Sequence, residues 1–278
     1  MKKRILSCLM ALALCLTLLP TAALAAEEPQ EEEPLASDPV PVAAADGYTE
    51  WISTDSLPTS GTYRLTTNVT IKPTFSDYAT VKSSLVLDLA GHTVTVSDEG
   101  DGNYAYFVNS SNASLVIEDS DGGGRITNAG TTDRMSTLIQ VNSGSFELKG
   151  GTLENTSSMG YAVFINSSAQ LTMTDGEIKN TVNGGYAVYI NGTAGFTMEG
   201  GKVTQESNSS SAAIYANNSA TSVSISGGEI DVHSVLSSAI ATNNGRLEIT
   251  GKDTKVGGQA GLRKTNVRSN SLAHRTTW

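Results

Sequence analysis

Phe164, Tyr189 and Tyr215 recur 25 and 26 residues apart, each two residues before an asparagine. Set side by side, three such rings could stack on the sugars of an extended glycan, with neighbouring Ser, Thr and Asn reaching its hydroxyls. They could equally pack on one another and stiffen a strand face. These three are the candidate ligand-binding residues. Catalysis by a general acid and base would instead need carboxylates paired close together. The local acidic cluster Glu118, Asp119 and Asp121 runs into Gly122-Gly123-Gly124 and reads as a turn in preference to a calcium site. His92 and His233 are far apart, each without a second histidine nearby, so no metal site is expected. No cofactor is expected either, and no catalytic residue is assigned.

What must position these residues is a repeat. A turn of Gly or Asp, then Gly, then any residue, then a β-branched residue or Leu reads Gly123-Gly124-Arg125-Ile126, Gly150-Gly151-Thr152-Leu153, Asp175-Gly176-Glu177-Ile178, Gly200-Gly201-Lys202-Val203 and Gly227-Gly228-Glu229-Ile230. The second glycines are 27, 25, 25 and 27 residues apart, which calls for a repeat architecture. Ahead of each turn stands a triplet with apolar outer residues, such as Leu171-Thr172-Met173 or Phe196-Thr197-Met198, the pattern of a half-buried strand. A second strand precedes the triplet, as in Ala187-Val188-Tyr189-Ile190-Asn191, and a third follows the glycines, as in Glu177-Ile178-Lys179. Three short strands per period, without a helix, make one coil of a parallel β-solenoid, and the triplets from Leu87-Asp88-Leu89 to Leu247-Glu248-Ile249 count about seven coils.

Asn109, Asn142, Asn166, Asn191, Asn217 and Asn243 take the same place in successive units. Asparagine tolerates the left-handed backbone of a sharp turn, and stacked about 4.8 Å apart its amides can bond along the axis. This ladder accounts for the asparagines better than glycosylation does, although Asn166 and Asn191 both head sequons. By alternation the residues two before them, Phe107, Gln140, Phe164, Tyr189, Tyr215 and Ala241, face outward. The other outward columns run Arg125, Thr152, Glu177, Lys202, Glu229; then Thr127, Glu154, Lys179, Thr204, Asp231; then Glu118, Lys149, Thr174, Glu199, Ser226, Thr250. In none do two acids adjoin, which suits a structural surface and not a general acid paired with a base.

The pattern resembles the right-handed parallel β-helix, or pectate-lyase-like, superfamily over roughly residues 60–257. Leu87-Asp88-Leu89-Ala90-Gly91-His92-Thr93-Val94 is also similar to the opening coil of β-helix modules in large secreted surface proteins of Gram-positive bacteria. The resemblance implies an all-β fold and leaves activity open, because the superfamily holds lyases, hydrolases and adhesin-like binding modules. A polygalacturonase-like member would carry Asp pairs, a Gly-His-Gly turn and an Arg-Ile-Lys triplet. Here Gly91-His92 is followed by Thr93, and that triplet is absent.

The ends differ from the repeat. Lys2, Lys3 and Arg4, an apolar run and Ala23-Leu24-Ala25 form a secretory signal peptide over residues 1–25, too short an apolar run for a membrane span. It contains both cysteines, so the mature chain has no thiol, and its net charge falls from −10 to −13 with the loss of three cations. Residues 26–45 are an acidic, Pro-rich linker expected to be disordered. The β-helix is expected over 46–258, with an N-terminal cap at about 47–72 built on Trp51, Ile52, Leu57 and Tyr63. Residues 259–278 form a basic tail that either binds an anionic wall polymer or, the favoured reading, marks a truncated or frameshifted gene end. Ser, Thr and Asn make up about 30% of the chain, which suits strands and turns, and the negative charge excludes nucleic acid as a general partner.

The expectation is a secreted, non-catalytic β-helix, an adhesin-like module at the cell surface that holds extracellular polysaccharide or host glycan along one face. The alternatives are a polysaccharide lyase or glycoside hydrolase of the same superfamily, and a passive spacer in a larger surface protein.

Overall fold

Apolar residues at every second position make each segment a strand with one face to bury, and the glycine turns bend the chain back after four or five residues. The computed structural model describes residues 46–74, 79–97, 99, 104–130, 136–257 and, for the backbone, 262–265. The signal peptide, the linker and most of the basic tail lie outside these residues. The described residues form a parallel β-solenoid of about seven turns, with strands and no helix.

Two walls run the length of the solenoid, a 15-stranded sheet and an 8-stranded sheet, with every strand paired in parallel to its counterpart one coil away. The coil around Tyr189 shows the plan. Strand Tyr186–Ile190 lies in the first sheet, Gly195–Met198 continues it around a corner, and Lys202–Gln205 crosses to the second sheet. Inside, equivalent residues stack in files: Phe146, Leu171, Phe196 and Val223 in one, Ile126, Leu153, Ile178, Val203 and Ile230 in another, all essentially sealed from solvent. The core is therefore one continuous apolar column that no single coil could close.

The repeated glycine is demanded by this stacking. Gly176 has φ of +83°, and a Cβ there would lie 2.6 Å from the Gly151 carbonyl oxygen of the preceding coil. That same carbonyl accepts the Glu177 amide at 2.9 Å, so the coils cannot separate to make room.

The N-terminal region continues the winding instead of lying across it. Strand Thr49–Trp51 pairs with Gly61–Leu65, and that strand with Ser84–Asp88. Trp51 and Tyr63 meet edge to face at 5.2 Å over the core, and Leu57 is buried, but Ile52 is exposed and takes no part in the cover. At the other end the sheet passes the expected boundary at 258. Strand Leu262–Thr265 pairs in parallel with Ser238–Asn243, placing Leu262 opposite Ile240, because the backbone edge of the preceding coil is free to template another strand.

Candidate functional site: an aromatic face beside an amide column

The six outward positions form one unbroken column across neighbouring strands: Phe107, Gln140, Phe164, Tyr189, Tyr215 and Ala241. Val188 and Ile190 on either side of Tyr189 are fully buried, while Phe164, Tyr189 and Tyr215 are half-buried. The inward and outward faces are thus as the alternation requires.

Two further rings join them. Tyr161 and Tyr186 are paired in register at the start of their strands, and their side chains also turn outward. Strict alternation would put Tyr161 inside with Val163 and Ile165. Instead Ala162 and Val163 are both buried in succession, an irregularity that turns Tyr161 out, and Ala187 and Val188 repeat it. The five rings interlock. Tyr161 stacks on Tyr189 with centroids 4.7 Å apart, and Tyr186 stacks on Tyr215 at 5.0 Å and 16°. Phe164 meets Tyr189 edge to face at 5.3 Å. Much of the ring surface is therefore satisfied within the cluster, leaving edges, hydroxyls and outer faces at the surface. Burial, with the neighbouring phenols of Tyr161, Tyr215 and Tyr186, pushes the Tyr189 phenol up to about 12. Burial raises Tyr161 and Tyr186 likewise.

Beside the rings run the asparagines. Backbone bonds set Asn142, Asn166, Asn191 and Asn217 in line: the Asn166 amide donates to Val141 O, that of Asn191 to Ile165 O and that of Asn217 to Ile190 O. Asn191 Nδ2 donates to Asn166 Oδ1 at 3.2 Å, a direct rung of the ladder. Asn217 and Asn142 instead accept from the side chain two residues earlier, from Tyr215 Oη and Gln140 Nε2, each at 3.0 Å. Asn243 stands exposed at the end of its strand. Asn109 falls out of line, because a register shift after Val108 pairs it with Ser143 instead of Asn142. The left-handed turn expected of these asparagines belongs to the residue after: Ser167, Gly192 and Asn244 have φ of +53°, +67° and +66°.

A second amide column, hidden from the sequence reading, lies inside the opposite corner. Asn155 and Asn180 are fully buried, and Asn155 Nδ2 donates to Asn180 Oδ1 at 2.7 Å. Gln205 follows in register, its Nε2 donating to Ser207 Oγ and Ser211 Oγ, each at 2.7 Å. The signal was present. Each amide stands two residues after an inward Leu, Ile or Val, where an apolar residue would be expected.

Many of the acids are paired with a base or hydrogen-bonded to a turn. On the second sheet Lys179 reaches Glu206 at 2.9 Å and Glu154 at 3.9 Å, and Lys202 reaches Asp231 at 3.0 Å and Glu229 at 3.3 Å. His233 Nε2 lies 3.2 Å from Asp231 Oδ2, while His92 stands on another coil. Asp119 accepts the amides of Gly91 and Gly124, as befits a turn. One acid pair does adjoin, counter to the sequence expectation: Asp88 is paired in register with Glu118. The 30-residue gap between them obscured it. Asp88 is buried and accepts from Arg64 Nε at 2.7 Å and from the amides of Ser120 and Ala90, while Glu118 accepts from Tyr48 Oη. Burial alone would raise the Asp88 carboxyl, but the Ser120 amide and Arg64 outweigh it and hold it below the usual range. Both acids are clamps on the first coils.

No family model, curated protein or solved structure matches this chain. The repeat and its geometry carry the assignment to a parallel β-solenoid. Among the described residues no helix is long and apolar enough to cross a membrane, and no cluster of three or more His, Cys, Asp or Glu is arranged to hold a metal ion.

Proposed function

We propose that this chain is a secreted, non-catalytic β-helix module of the adhesin-like kind, right-handed and akin to the pectate-lyase-like superfamily, which holds carbohydrate along the column of Phe164, Tyr189 and Tyr215. The observation that carries the reading is the cluster of five rings on an outward face, bordered by the amides of Asn166, Asn191 and Asn217. Rings give sugar C–H faces an apolar surface and the amides bond hydroxyls, a combination suited to an extended polymer lying across the strands. The reading against catalysis draws on the acids: those on neighbouring coils face a base or are held in buried bonds.

The test replaces Phe164, Tyr189 and Tyr215 with Ala and measures retardation in gels containing soluble polysaccharides. Retardation by the native chain should vanish in the variant, whose circular dichroism stays that of a β-solenoid. Retardation that survives the triple change would remove the column from the account. Release of unsaturated or reducing ends from pectin-like polymers would replace the binding reading with a lyase or hydrolase.

A further inference from the structure

The charges of the repeat are segregated by face. Tyr161–Met173, Tyr186–Met198 and Ala212–Ile225 contain no Asp, Glu, Lys or Arg, and neither do residues 137–146 or 238–245. In the three central coils these segments are the first-sheet strand, its corner and the strand that follows, whereas in the flanking coils that following strand carries Glu147, in register with Thr172, and Arg246 and Glu248, in register with Ser222 and Ser224. Beside the five rings the surface thus carries only amides and hydroxyls, among them Gln170, Thr172, Thr193, Thr197, Ser222 and Ser224. The ion pairs of the central coils lie instead on the second sheet and its adjoining loop, where Arg125, Glu154, Lys179, Lys202, Asp231 and Glu229 alternate in sign, while the pairs Glu147 with Lys149 and Arg246 with Glu248 flank the uncharged stretch on the first sheet.

A chain of net charge −10 that keeps this face of its three central coils free of charge offers no ion pair beside the rings, the nearest cations in register being Arg246 and Arg263 of the last coils. Over those three coils an acidic polymer would find no Lys or Arg to pair with its carboxylates or sulfates, and the overall negative field would repel it. A cationic polymer would be drawn to the acids of the other sheet. From this segregation, and resting on the carbohydrate reading above, we infer that the ligand is a neutral glycan, a polymer of uncharged hexoses or pentoses without uronate, sulfate or phosphate. It lies along the solenoid axis over the rings and amides of the three central coils, where its polar partners are neutral donors and acceptors.

The decisive experiment uses the native chain in affinity gels containing either neutral polymers (hydroxyethylcellulose, galactomannan, dextran) or acidic ones (polygalacturonate, hyaluronate, chondroitin sulfate), each at low and high salt. The expected result is retardation by at least one neutral polymer, changed less than about twofold by salt, since neither the polymer nor the ring-bearing coils beneath it present a charge to screen. Retardation should fall at least tenfold in Tyr215→Ala, a ring at the edge of the cluster, with the melting curve showing a folded protein. Retardation by acidic polymers alone, released by salt and lost in the same variant, overturns the neutral class while sparing the column as a carbohydrate site. Failure of every polymer in both sets overturns the carbohydrate reading itself. Dimerisation abolished by Tyr215→Ala, without polymer binding, would make the face an interface between copies and overturn both.

Discussion

Tyr161 and Tyr189 stack at 4.7 Å although they stand on neighbouring coils and in different columns of the sheet. The contact is diagonal, and Tyr186 on Tyr215 repeats it one coil on. Each coil is thereby tied to the next by rings outside as well as by the apolar files inside.

Tyr189 is the hub of this arrangement, touching Tyr161, Phe164, Tyr186 and Tyr215. Tyr189→Ala should lower the unfolding free energy by about 1–3 kcal/mol, the worth of a half-buried ring and its aromatic contacts. Tyr189→Phe keeps the ring and should cost under about 1 kcal/mol. Urea denaturation of the two variants separates packing from the hydroxyl.

The phenols of this face should ionise late. With Tyr189 pushed up to about 12 from an ordinary value of 10.0, its contribution to stability is whole below pH 10 and is lost as pH rises through 12. Spectrophotometric titration of phenolate should show a component near pH 12 that Tyr189→Phe removes. The Tyr48 phenol, raised to about 12 chiefly by its bond to Glu118, remains as an internal control.

Arg64→Ala should destabilise the first coils, because it leaves the buried Asp88 carboxylate with only the donors of Ala90 and Ser120. Asp88 is held below the ordinary carboxyl value of 3.8, so its contribution is present above that pH and is lost as pH falls beneath it. Acid unfolding of Arg64→Ala should begin at higher pH than that of the native chain. Thermal melts between pH 2 and pH 6 check this.

Asn180→Ala should cost about 1–3 kcal/mol by leaving one Asn155 N–H without its acceptor in the interior, the bonds of Asn155 to Ser157 remaining. Asn180→Asp sets a carboxyl against the Val182 carbonyl, which now accepts from Asn180 Nδ2. Its deficit should grow as pH rises through the carboxylate range, since only the protonated acid can donate there. Denaturation at acidic and neutral pH distinguishes the two effects.

The sequence by itself determined the coil period, the inward triplets and the outward column from Phe107 to Ala241, because a strand's side chains alternate strictly and stacking keeps equivalents in line. It did not reveal Tyr161 and Tyr186, since two successive buried residues broke the alternation that would have hidden them inside. Nor did it reveal Asn155, Asn180 and Gln205, which occupy inward positions where polar groups are tolerated only when partners close around them. The register slip that removes Asn109 from its ladder, and the long gap that brings Asp88 beside Glu118, were decided between coils. Periodicity along a chain states which residues are equivalent. Which ones touch is settled only when neighbouring coils commit their backbone bonds to one register.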